Sequence, residues 1–246
     1  PELDVRSGNI VMQEIVTAFG QAVSLVIAAD PDIVEIVALS LRVTLSAVVI
    51  ACAIGLPLGA FLAVCAFPGR TIAVIAVNAL MGLPPVVVGL FVYLMLSNAG
   101  PFGVLQLLYT PGAMIAAQAV LVTPIVAGLT RQVIEDLNEE YDEQLRSMGI
   151  TRFGAVTTLL WDGRYSLMTV ALAGFGRAVA EVGAVMIVGG NIDHVTRVMT
   201  TAIALETSKG NLSLALGLGL ILLSIAVVVN ASVTALRTTA GRSAYG

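Results

Sequence analysis

The chain has little charge. Of its 246 residues only 11% are Asp, Glu, Lys or Arg, against 58% hydrophobic, whereas a soluble domain carries about a quarter charged residues. That shortage excludes a water-soluble globule and, with a mean hydropathy of +0.97, places the chain among membrane proteins. There is a single histidine, His194, and two cysteines, Cys52 and Cys65, both in one apolar run. No metal-ligand spacing arises, and the two thiols read as small buried hydrophobes. Net charge is −4 and no basic run is present, which excludes nucleic acid as a partner. A phosphate-binding G-x-x-x-x-G-K-S/T loop is also missing. Gly174-Phe175-Gly176-Arg177-Ala178-Val179 has a glycine-rich look but lies inside an apolar run and follows no strand. Without a catalytic constellation the chain is not an enzyme, and no cofactor is implied. If nucleotide energy drives it, another chain hydrolyses the nucleotide.

What is present is long, continuous hydrophobicity, which favours an all-α helical bundle over a β-barrel. A spanning helix needs about 20 mostly apolar residues. Five segments qualify: Val34–Phe67, Thr71–Leu96, Ala113–Ile134, Ser166–Val188 and Leu212–Leu236. Gly55-Leu56-Pro57-Leu58-Gly59 offers a kink in the first, Gly82-Leu83-Pro84-Pro85 breaks the second, and Pro124 lies in the third. Asn9–Ala29, interrupted by Gln13, Glu14 and Gln21, reads as an amphipathic helix lying on the membrane, with a sixth span as the alternative. The expectation is one transmembrane domain over 1–246, with a core at 30–237.

Between Thr130 and Tyr165 stand eleven of the 28 charged residues, so this is where the protein meets something in the aqueous phase. Asp136 or Asn138 can cap a short helix through Arg146, which Gly149 ends in the left-handed conformation. Tyr141, Leu145 and Met148 then form one apolar stripe. The stretch reads either as a docking helix presented to a groove or as a solvated loop. Arg70, Arg131, Arg146, Arg152, Arg164, Arg237 and Arg242 fall in connections that share one side if five spans alternate. The positive-inside rule makes that side cytoplasmic, so residues 131–165 and the C-terminus face the cytoplasm.

Within the spans, Arg177 and Glu181 lie four apart on one helix face. Both are costly in lipid. They are either a structural ion pair or part of a substrate path or gate. Pro84 and Pro85 free backbone groups at membrane depth, either as a packing kink or where a cavity is lined. The connection after the fourth span holds Thr196, Arg197, Thr200 and Thr201, which are able to donate hydrogen bonds to an oxyanion. The alternative is a solvated loop.

Glu143-Gln144-Leu145-Arg146-Ser147-Met148-Gly149 resembles the E-A-A-x-x-x-G coupling loop of permease subunits of ATP-binding-cassette importers. Gln144 and Leu145 replace its alanines, and Trp161-Asp162 stands where Leu-Pro is usual. Phe175–Val185 resembles the segment shared by molybdate, tungstate and sulfate permeases. Met81–Leu90, Val188–Ile192, Thr196-Arg197 and Thr200–Gly210 are similar to tungstate permeases in particular. The resemblance runs from Asp30 through the fifth span. It implies the fold of a type I importer permease, with five core transmembrane helices plus the N-terminal amphipathic helix. It also implies a second copy of the chain, two cytoplasmic ATPase subunits and an extracytoplasmic oxyanion-binding protein as partners. ATPase coupling would fall to Glu143, Leu145, Arg146, Met148, Gly149 and Phe153. The translocation path or gate would fall to Arg177, Glu181, Pro84, Pro85 and Gly183, and outer-face oxyanion contact to Thr196, Arg197, Thr200 and Thr201. The competing expectation is a permease for another oxyanion such as sulfate, or a self-sufficient secondary transporter or channel. The latter favours intramembrane acids or histidines as an ion relay and internal repeats, and intramembrane charge here is essentially Arg177 and Glu181.

Overall fold

The computed structural model describes residues 30–244, together with 19, 20 and 24. The Asn9–Ala29 segment therefore lies almost wholly outside the described residues. Nine α-helices make up the described chain: α1 (Pro31–Val64), α2 (Arg70–Met81), α3 (Pro85–Leu96), α4 (Pro111–Ser147), α5 (Arg152–Asp162), α6 (Arg164–Val179), α7 (Gly183–Gly189), α8 (Met199–Lys209) and α9 (Leu212–Ala244). Three helices, α1, α4 and α9, are each long and apolar enough to cross a membrane. The count becomes five if α2 with α3, and α6 with α7, are each one bent span.

The two bends have different causes. Between α2 and α3 the chain turns by 103° at Gly82-Leu83-Pro84-Pro85. Neither proline has an N–H to donate, and each disfavours helix in the residue before it. Pro84 is extended, and Pro85 then opens α3, a position where its missing N–H costs nothing. The 59° bend between α6 and α7 contains no proline. It turns on Ala180-Glu181-Val182, and its stabilising partners come from elsewhere in the fold.

Gly55 and Gly59 serve close packing. α1 runs unbroken through Pro57, and the two glycines bring it against α4. A Cβ on Gly59 would stand 2.4 Å from the Ala127 carbonyl oxygen, and one on Gly55 2.9 Å from Val126 Cβ. Four-residue spacing of small residues is how membrane helices bring their backbones together. Ala51, one turn earlier on the same face, is fully buried.

The polar stretch departs from expectation more sharply. No separate capped helix begins at Asp136 or Asn138, because α4 continues from the membrane to Ser147 without a break. Glu, Gln, Leu and Arg are good helix formers. Arg131 pairs with Glu135 and Arg146 with Asp142 across single turns, which supports the extension. Gly149 does end the run in the left-handed region, at φ +69°. Thr151 then caps α5, its hydroxyl accepting from the Gly154 N–H at 3.2 Å.

The bundle has two ends. One gathers Glu35, Tyr109 and the loop after Gly189, through His194–Glu35 and a 2.9 Å bond from the Tyr109 N–H to the Val188 carbonyl. The other gathers the end of α1, the start of α2 and α5. There Arg70 Nε donates to the Leu62 carbonyl at 2.7 Å and Arg152 Nη1 to the Val64 carbonyl at 3.0 Å. The last carbonyls of a helix lack intrahelical partners, and here two arginines from other elements supply them.

Candidate functional site

The two breaks meet. Gly89 of α3 lies so close to α7 that its missing Cβ would stand 2.6 Å from Ala184 Cα. A Cβ on Gly183 would stand 2.8 Å from Val86 Cγ2. Of the residues expected at a path or gate, Pro84 and Pro85 thus set the start of α3, and Gly183 seats α7 against it.

Arg177 and Glu181 close the other side of the junction. Arg177 Nη1 donates to Glu181 Oε2 at 2.7 Å, and Glu181 Oε1 accepts from the Ala184 N–H at 2.9 Å. One carboxylate therefore neutralises an arginine and caps the helix that follows the break. The Glu181 side chain is 3% exposed, that of Arg177 32%. Buried acid is tolerable only when paired and hydrogen-bonded, and Glu181 is both.

Carbonyls freed by the break also need donors. Gln118 Nε2 on α4 donates to the Ala178 carbonyl at 3.1 Å, and the Thr200 hydroxyl on α8 to the Glu181 carbonyl at 2.8 Å. A small cavity beside them is lined by Ser40, Thr44, Gln118, Glu181 and Thr200 among apolar neighbours. Gln118 Oε1 is buried there with no partner among the described residues. Its size is about 10 Å3, about the least that holds one water. Gln118 was not singled out by sequence reasoning. Its signal was a lone amide in the apolar run Ala113–Ile134, where a buried polar group must find a partner.

The four residues expected at an outer oxyanion contact divide. Thr196 is fully buried, donating to the Gly189 carbonyl at 2.6 Å and accepting from the Ile192 N–H at 2.9 Å. Thr201 is also fully buried, accepting from the Val198 N–H. Thr200 points inward to Glu181. Arg197 pairs with Asp193 at 2.6 Å, its side chain 20% exposed. The hydroxyls hold a tight loop together, and Arg197 is the one of the four with a charged group near the surface. His194, in the same loop at φ +55°, has Nδ1 2.8 Å from Glu35 Oε2. Its pKa is raised by the hydrogen bond and charge of Glu35, then by the charges of Asp193 and Asp32.

At the opposite end the expected coupling residues also divide. Leu145 is buried, and packs with Ala155, Val156 and Leu159 so that α5 folds back on α4. Glu143, Arg146, Met148, Gly149 and Phe153 are exposed. Met148 and Phe153 leave large apolar side chains in the open around the Gly149 turn. Tyr141, Leu145 and Met148 therefore do not act as one buried stripe: Leu145 is covered by α5, whereas Met148, at the end of α4, is 70% exposed. The Phe153 ring lies 6.1 Å from that of Phe61, which stacks on Phe67 at 5.4 Å. With Arg152 on the Val64 carbonyl, this joins α5 to the end of α1.

Helical spans broken where they meet, a capped intramembrane carboxylate and a surface helix tied to a span end define a polytopic membrane protein of the transport class. The chain belongs to the family of binding-protein-dependent transport system inner membrane components, whose model matches residues 55–240. It is 39% identical over 226 residues to the tungstate uptake system permease protein TupB of Peptoclostridium acidaminophilum, covering 92% of this chain and 99% of that protein. To a probable anion ABC transporter permease protein of Haloferax volcanii it is 37% identical, over 87% of this chain and 95% of the other. The sulfate transport system permease protein CysT of Escherichia coli is more distant, at 25% over 73% of this chain and 68% of its own length.

Proposed function

We propose that this chain is the membrane-spanning subunit of an importer for tungstate, or for the near-isosteric molybdate, which moves the oxyanion by alternating access. The observation that carries the reading is the 39% identity, over nearly the full length of both chains, to a tungstate uptake permease. ATP is hydrolysed on partner chains, two ATPase subunits that bind the surface around Glu143, Arg146, Met148, Gly149 and Phe153. That surface faces the cytoplasm, as does the C-terminus, on the positive-inside rule applied to five alternating spans. A second copy of the chain completes the path, and an extracytoplasmic binding protein delivers the anion to the end where Arg197 lies. Arg177, Glu181, Pro84, Pro85 and Gly183 form the junction that rearranges as the path opens.

Support from the structure is mechanical. The exposed turn is continuous with α4, and α5 grips the end of α1, so a push on the turn reaches two spans. Both spans pack on the Glu181 junction: α4 supplies Gln118, and α1 supplies Ser40, which accepts from the first N–H of α8 at 2.7 Å. The test is uptake into liposomes holding the permease, its ATPase chains and the binding protein, with tungstate, molybdate and sulfate in competition. Tungstate and molybdate accumulation that requires ATP is expected. Accumulation without ATP, driven by an ion gradient, would overturn the reading in favour of a secondary transporter, and preferred sulfate uptake would overturn the substrate.

A further inference from the structure

Away from the junction, α1, α5 and α6 enclose an open groove of about 480 Å3. Its walls are apolar: Cys52 and Leu56 from α1, Leu160 from α5, Met168 and Ala171 from α6. Arg164, Met168 and Ala171 follow a helical spacing on one face of α6, so the groove runs along the helix and ends at a guanidinium. The Arg164 guanidinium carbon lies 4.9 Å from the centroid of the Trp161 ring and 4.6 Å from that of Tyr165. Its Nη1 donates to the Trp161 carbonyl at 2.7 Å.

Two features say what fills the groove. Arg164 makes no ion pair among the described residues, unlike Arg70, Arg131, Arg146, Arg177 and Arg197. A guanidinium has five N–H donors in a fork that matches phosphate. Here it is held in place by two rings, the Trp161 carbonyl and the Tyr165 hydroxyl, 3.5 Å from Nη2, with donors left over. Trp161, the only tryptophan, is 73% exposed and Tyr165 37%. Exposed Trp and Tyr beside an Arg at the first turn of a membrane helix mark the headgroup level of a bilayer. Below that level the groove offers hydrocarbon to hydrocarbon, and at it one positive charge awaits a negative one.

We propose that this groove binds one anionic phospholipid, its acyl chain along Cys52, Leu56, Met168 and Ala171 and its phosphate on Arg164. The ligand is held where α1, α5 and α6 meet, so it wedges the surface helix against the two spans it touches. The site needs only that the chain lies in a bilayer, and stands apart from the transport reading.

The test reconstitutes the full chain in nanodiscs containing phosphatidylglycerol with a diazirine in its acyl chain, or the matching phosphatidylcholine. After illumination, cross-links are mapped by peptide mass spectrometry. Label in residues 52–57 and 160–171 is expected to be about fivefold higher from phosphatidylglycerol, the order of effect of one arginine near an anionic surface. Arg164→Gln should bring the two lipids level. Ala171→Trp, which fills the groove, should remove the label from both. If Arg164→Gln fails to insert, the comparison of two lipids on the unaltered chain still decides. Equal labelling by both lipids would overturn the proposal. So would cross-links joining these peptides to a second copy or to residues ahead of 30, since the groove would then have a protein occupant.

Discussion

Gly89 and Ala184 sit backbone to backbone, with only 2.6 Å between the place of the missing Cβ and Ala184 Cα. They lie just beyond the two breaks, on the helices that follow Pro84 and Val182, so the broken halves of two spans seat on each other. Gly183 makes a related contact, but its neighbour is a side-chain methyl of Val86, which can rotate away. Backbone has no such freedom. Gly89→Ala should therefore cost more than Gly183→Ala, by about 1–2 kcal/mol within the usual range for overpacking. Thermal unfolding in detergent measures the difference, and equal melting temperatures for the two variants would remove the contact from the account.

Glu181 has two tasks that substitution can separate. Glu181→Gln keeps an acceptor for the Ala184 N–H but removes the partner of Arg177, whereas Glu181→Ala loses both. Loss of one partner from a buried pair costs about 3 kcal/mol, and Glu181→Ala should approach that. Glu181→Gln should fall short of it by about 1 kcal/mol, the ordinary worth of one hydrogen bond. Exchanging the charges, Arg177→Glu with Glu181→Arg, should not restore stability, since an arginine at 181 accepts nothing from Ala184. Full restoration, read as yield and melting temperature, would show that the ion pair alone matters.

Gly149 has no atom within 4 Å of where its Cβ would be, yet its φ is +69°. Gly149→Ala should cost about 1–2 kcal/mol through the left-handed conformation alone and leave ATPase chains bound. Gly149→Trp places a bulky ring on the same open surface. It should abolish co-purification with the ATPase chains, or their transport-coupled turnover, while the subunit still inserts. Wild-type levels of both would place docking elsewhere.

Arg152 carries the tie between α5 and α1. Arg152→Ala should leave the Val64 carbonyl without its donor and loosen α5 by about 1–2 kcal/mol. Hydrogen exchange in residues 150–160 should rise roughly tenfold, the factor 1.4 kcal/mol gives, with the interiors of α1 and α4 unchanged. Uniform loss of protection over α1 would mean a general folding defect.

The His194–Glu35 contact depends on pH. The imidazole pKa is raised above its ordinary 6.5 by Glu35, Asp193 and Asp32, so the protonated form is favoured in the fold. Its stabilisation is complete below about pH 6.5 and is lost as pH rises through the raised value. Opening of the loop at 190–198, followed by hydrogen exchange corrected for intrinsic rates, should increase from pH 6 to pH 8.5. His194→Asn should flatten that profile, and a wild-type profile already flat would remove the contact as a pH-dependent element.

Composition and hydropathy alone determined that the chain is a helical membrane protein, because long apolar runs have few alternatives in lipid. They also located one polar island and one intramembrane ion pair, since charge in an oily chain is conspicuous. The Gly149 turn was legible for the same reason that it forms: few other residues tolerate a positive φ. Tertiary structure decided what each feature contacts. Asp136 and Asn138 looked like helix caps, but capping needs a helix end, and the continuing hydrogen bonds and ion pairs of α4 leave none there. Thr196 and Thr201 looked available to an oxyanion, but a tight loop took their hydroxyls for its own N–H and carbonyl groups. The bend at Glu181 carried no proline in the sequence, and the single Gly183 beside it is a weak signal where other glycines of the chain lie inside unbroken helices. The bend exists because Gln118 of α4, Thr200 of α8 and the Glu181 carboxylate in the break itself satisfy groups that a straight helix would have satisfied by itself.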